Sequence, residues 1–187
     1  MPNSNTDLPW SSPLLVADLP AKKTIPFDLE LTVSARQLLA QELGLTGLRK
    51  LRFTGTLTPL DKSDWQLNAS LGATVVQSCV ITLAPVTTRI DETVTRSFVG
   101  TLPDIEVGSE TEMPVDDTIE EISDVIDPGA VMLEALALAL PQFPRAPDAS
   151  LTQNNFTEPG KAALSDADAR PFSQLKALRD GLKKDTE

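Results

Sequence analysis

The chain has 187 residues, a formal net charge of −11, one cysteine and no histidine. One cysteine excludes an intramolecular disulfide framework, and without histidine no Cys/His zinc site can be assembled within the chain. Hydrophobic residues reach 41% and aromatic residues only 4%, which is material for one globular domain with a core mainly of Leu, Val, Ile and Ala.

The N-terminus lacks a basic run and holds only a four-residue apolar stretch, Leu14 to Ala17, so it does not read as a secretory signal. No segment reaches the ~18 consecutive apolar residues of a membrane-spanning helix. A reducing, cytoplasmic setting without a membrane partner is expected.

The negative charge is concentrated. Residues 101–128 carry ten acids and no base, whereas residues 1–60 carry six bases against five acids. The total opposes nonspecific nucleic-acid binding, which rests on cations that displace counterions from phosphates. A local cationic face remains open to the N-terminal third.

Residues 1–20, with four prolines and many small polar residues, read as a flexible leader from which Trp10 and Leu14–Val16 can still pack on the domain. Residues 21–145 form the single domain. "IPFDLELTV" alternates Phe27, Leu29, Leu31 and Val33 against polar residues and reads as a half-buried strand. Ser34 is expected to cap a short helix over Ala35–Leu43, with Gln37 completing a capping box and Gly44 stopping it.

"LRKLRFTGTLTPL" sets Leu51, Phe53, Gly55 and Leu57 on one face, and after a turn at "DKSD" the run Trp65–Val75 alternates over eleven residues. "VTTRIDETVTRSF" puts Val86, Ile90, Val94 and Phe98 inward, with Glu92 and Arg96 interrupting that face. Long strands joined by short turns pair antiparallel, so an antiparallel meander or a partly closed barrel is expected, and the class is α+β.

The acidic loop, residues 101–126, leads to a short strand or turn near "TIEEISDVI". A largely buried helix follows near 129–140, capped by Asp127, begun by Pro128 and ended by Pro141. Residues 146–171 read as a linker, and residues 172–184 as an amphipathic C-terminal helix, tethered and free to dock on its own domain or on a partner.

Chemistry-bearing patterns are sparse. Cys79 has no histidine to act as base and no evident lysine or helix start to lower its pKa, so it reads as a buried hydrophobe at the end of a hairpin strand, with "TLAP" turning into the next. The acidic loop lacks the spacing of a calcium loop, and "GLTGLRK" has neither the Walker nor the dinucleotide pattern. No enzyme activity, metal, cofactor or small-molecule substrate is expected.

Arg49, Lys50 and Arg52, joined by Lys22, Lys23 and Arg36, form the one phosphate-facing patch that the sequence offers. With so few aromatics, base stacking is not expected of it.

"QSCVITLAPV", then a long strand ending at Phe98, an acidic stretch and "LEALALALPQFPR" resemble the alphaproteobacterial branch of the YceD family across roughly residues 24–147. "RPFSQLKALRDGLKK" is similar to that branch's tail helix. Gln77, Cys79, Leu83, Pro85 and Val86 belong to the first motif as structural residues. Many members carry a C-x-R-C type pair here, whereas this chain lacks the second cysteine, which argues against a metal or redox role.

The resemblance implies a non-enzymatic factor for accumulation of large-subunit (23S) ribosomal RNA. A ribosome-biogenesis factor that binds 23S rRNA or a pre-50S particle through the cationic patch is therefore expected. The alternative is an adaptor that holds a basic ribosomal protein through Asp104, Glu106, Glu110, Glu112, Asp116, Asp117, Glu120 and Glu121 without touching RNA.

Overall fold

The computed structural model describes residues 8–60, 64–101, 118–151, 158, 160 and 161. The chain divides into two compact units, residues 1–147 and 148–187. In the second, the described residues include an ion pair between Lys161 and Glu158, 2.6 Å apart.

The first unit is built on a five-stranded sheet in the order β2 (Ile25–Glu30), β3 (Gly47–Pro59), β4 (Trp65–Ser78), β5 (Pro85–Val99) and β6 (Ile119–Glu121). The β2, β3, β4 and β5 strands pair antiparallel in sequence order, as a meander. The sheet stays open, so of the two expected forms the meander is the one adopted and no barrel closes. The β6 strand is parallel to β5, Ser97 facing Ile119. A separate two-stranded ribbon joins β1 (Leu14–Leu15) to β7 (Val125–Ile126).

Period-two patterning decides the faces. Trp65, Leu67, Ala69, Leu71, Ala73 and Val75 of β4 are all buried, as are Leu51, Phe53 and Leu57 of β3 and Ile90 and Phe98 of β5. Each apolar side chain removed from water in this way contributes roughly 1.5–3 kcal/mol before chain entropy is counted. The intervening residues form an open face toward solvent.

Two helices cover the apolar face. The first, α1 (Val33–Glu42), buries Ala35, Leu39 and Ala40 beside β3. Its cap is Thr32 rather than the expected Ser34: the Thr32 hydroxyl accepts from the backbone N–H of Ala35 at 3.2 Å. The strand stops at Glu30, so the earlier hydroxyl reaches the orphan donor first, and Gln37 lies beyond capping-box range.

The second, α2 (Pro128–Ala139), begins with Asp127 as cap and Pro128 in its first turn. It packs on β4 and β5 through Val131, Met132 and Leu136. Its opposite face is less buried than its composition suggests, because Leu138 is 78% exposed. Arg96, which interrupts the inner face of β5, reaches Glu134 of α2 at 2.6 Å.

The N-terminal segment is fastened to the start of α2. One Asp127 carboxylate oxygen accepts from the N–H groups of Ser12 and Gly129, each at 2.8 Å, while the other accepts from the Ser11 hydroxyl at 2.6 Å. Trp10 is buried beside it, and a Cβ on Gly129 would lie 1.9 Å from the Trp10 carbonyl oxygen. Only glycine permits that approach.

Candidate functional site: the open face of the sheet

The open face owes its charge to a β-bulge. Regular alternation from buried Leu48 would turn Lys50 back into the core, but the register shifts between Leu48 and Lys50. The extra residue lets Arg49 and Lys50 both stay exposed before Leu51 resumes the buried row. Lys50 stands opposite Thr74 of β4, and Arg52 opposite Gly72.

From Lys50 across the sheet, Thr74 of β4 is followed by Arg89 of β5, and Gly72 by Asp91. Arg89 lies over Gly72, where a Cβ would meet its Nη2 at 2.6 Å. Arg36 completes the group from the first turn of α1, its Nη1 donating to the Leu31 carbonyl at 3.0 Å. These side chains, with Glu30, line one shallow groove.

Two of the five cations are already paired. Arg52 donates through Nε and Nη2 to both oxygens of Asp28, at 2.9 and 2.6 Å, and Arg89 does the same to Asp91, its Nε at 2.8 Å. These hydrogen bonds hold both carboxyls below their usual range and raise both guanidiniums. Among the described residues no carboxylate forms an ion pair with Arg49 or Lys50. Their charge is the part of the groove available to an anion.

From Thr54 and Ser70, which line the groove, the face continues neutral and hydroxyl-rich. Thr54, Thr56 and Thr58 of β3 face Ser70, Asn68 and Gln66 of β4, which in turn face Thr93, Thr95 and Ser97 of β5. No aromatic side chain stands on this face among the described residues.

The structure gathers Arg36, Arg49, Lys50 and Arg52 but leaves Lys22 and Lys23 out of the groove. Those lysines occupy the exposed turn before Ile25, at the far end of β2 from Glu30. Arg89 is remote from Arg49, Lys50 and Arg52 in sequence, and only the β4–β5 register brings it beside them. Of the acidic set, Asp104, Glu106, Glu110, Glu112, Asp116 and Asp117 lie outside the described residues, as does the 172–184 segment; Glu120 and Glu121 are exposed on β6.

The two motifs that carry the resemblance meet in space. The Gln77 side-chain amide donates to the Pro141 carbonyl at 3.1 Å, and the Val80 N–H to the Pro144 carbonyl at 2.9 Å. Between them Cys79, fully buried, accepts from the backbone N–H groups of Ala146, Ile81 and Thr82 at 3.3, 3.4 and 3.5 Å. The Ala146 donor, then Thr82, then Ile81 lower the thiol from 9.0 to about 6, against the opposing pull of burial.

No approach to the Cys79 sulfur is open from solvent, and no group of three or more potential metal ligands occurs among the described residues. Leu83, at φ +60°, and Pro85 are exposed in the turn that follows, and Val86 is half-buried at the start of β5. The described helices include none long and apolar enough to cross a membrane.

Residues 67–179, well over half of the chain, match the family described as large ribosomal RNA subunit accumulation protein YceD. The match begins in β4 and runs through the Cys79 turn, β5 and α2, leaving β2, α1 and β3 before it. No curated protein and no solved structure matches the chain. With the two resemblance motifs joined at Cys79 and the family match spanning both, the chain belongs to the YceD family, whose name assigns it a role in accumulation of large-subunit ribosomal RNA.

Proposed function

We propose that this protein is a non-enzymatic, cytoplasmic ribosome-biogenesis factor of the alphaproteobacterial branch of the family. It supports accumulation of 23S rRNA by binding that RNA, or the pre-50S particle carrying it, through the open face of the sheet. The observation that carries the reading is the bulge at Leu48/Lys50, which adds two cations with no ion pair among the described residues to a groove already holding Arg36, Arg52 and Arg89.

Phosphate contacts need cations held at a surface, and Arg49 and Lys50 meet that need without first breaking an ion pair. Arg52 and Arg89, forked on Asp28 and Asp91, are held in fixed orientations at the groove. The neighbouring hydroxyls offer donors to phosphate and ribose oxygens. A face without aromatics among its described residues reads the RNA backbone and shape rather than stacked bases.

The test is charge reversal at Arg49, Lys50 and Arg52, all exposed. The folded triple variant R49E/K50E/R52E is expected to lose particle association and to lower large-subunit rRNA in cells. Unchanged association and rRNA levels would remove this face from the interaction.

A further inference from the structure

We propose that the free edge of β5 pairs antiparallel with β5 of a second copy of this chain, centred on Ile90. The described β6 covers this edge only at Ser97–Val99, so residues 85–96 have no strand beside them among the described residues. A long uncovered edge presents a row of backbone donors and acceptors ready for another strand.

The orientation of those groups is fixed. The Ser97 N–H donates to the Thr118 carbonyl, and the Val99 carbonyl accepts from Ile122, so odd-numbered residues aim their backbone groups away from β4. Thr87, Arg89, Asp91 and Thr93 therefore face the open edge with both N–H and C=O.

Charge complementarity then favours one register. Centred on Ile90, an antiparallel copy sets Arg89 against Asp91 twice, Thr87 against Thr93 twice and Val86 against Val94 twice, with Ile90 meeting its own copy. Odd residues meet odd residues, so the outward backbone groups are in register to bond. Centring instead on Arg89, Asp91 or Glu92 puts like charges directly opposite one another, which disfavours each of them.

The apolar side of the edge fits the same partner. A groove beside Val94 is walled by Ala135, Leu138 and Ala139 of α2, and Leu138 is 78% exposed. In the Ile90-centred pairing, Val86 of the second copy enters beside Val94. An exposed leucine of this kind is then covered rather than left in water.

Sedimentation of the full chain over a wide concentration range tests the pairing. Wild type is expected to form a dimer that D91R weakens by about tenfold, through two symmetric like-charge contacts. The double variant R89D/D91R restores the complementarity and the dimer.

Thr93→Pro supplies a second test: its N–H points away from β4, so the change blocks the edge while sparing the β4 ladder. Loss of the dimer in folded T93P supports the proposal. A wild type that is monomeric throughout, or a dimer that neither D91R nor T93P weakens, overturns it.

Discussion

Arg96 of β5 and Glu134 of α2 form an ion pair at 2.6 Å that fastens the helix to the inner face of the sheet, the arginine side chain 18% exposed and the glutamate 48%. Among the described residues the Arg96 Nε has no acceptor, so the carboxylate is the group that balances its mostly buried charge. Removing it in E134A should cost about 1–2 kcal/mol of unfolding free energy. Replacing both residues with leucine should cost less than that single change, as denaturant melts of the two variants will measure.

The Gly129→Ala variant should be more damaging than a usual helix Gly→Ala exchange. Alanine improves helix propensity by ~1 kcal/mol, but the added Cβ meets the Trp10 carbonyl oxygen at 1.9 Å. Backbone must move, releasing Trp10 and the Ser11 and Ser12 bonds to Asp127. A net loss of about 1–3 kcal/mol, with a blue-to-red shift of tryptophan emission before global unfolding, is the expected outcome.

Cys79 makes stability depend on pH. Its folded pKa is lowered to about 6 from 9.0, so the unfolded chain binds more protons between those values. Stability should therefore rise with pH through this window, be fully present above the unfolded pKa, and be lost as pH falls through about 6. In C79A that slope should vanish; an identical slope in wild type and C79A would show that the thiol is not its source.

Leu83 adopts φ +60° and is 77% exposed, so its side chain gains little from burial while its backbone sits where a Cβ is disfavoured. Leu83→Gly should raise stability by up to about 1 kcal/mol, measured as a shift in the denaturant midpoint.

These effects divide according to what local sequence can encode. The strand Trp65–Val75 and the helix opening Asp127-Pro128 were legible because alternation and capping are local signals. The pairing of Leu14 with Ile126 and the parallel seat of Ile119 on Ser97 were not, since neither short strand has a period of its own and their partners lie far along or beside an unrelated strand.

The candidate site was half legible for the same reason. Arg49, Lys50 and Arg52 stand together in the sequence, but "LRKLR" fits two parities, and only the bulge decides that Lys50 faces outward. Arg89 joins them through the β4–β5 register, and the Cys79 donors come partly from Ala146, 67 positions away. Long-range register, rather than composition, fixes both.

The open face is the proposed contact with large-subunit rRNA. UV crosslinking of the tagged protein in its own cells, followed by sequencing of the attached RNA, tests it most directly. Discrete 23S sites that disappear in R49E/K50E/R52E are expected. No RNA above background, with basic ribosomal proteins co-purifying instead, would contradict it and assign the protein to partner capture through its acidic segment.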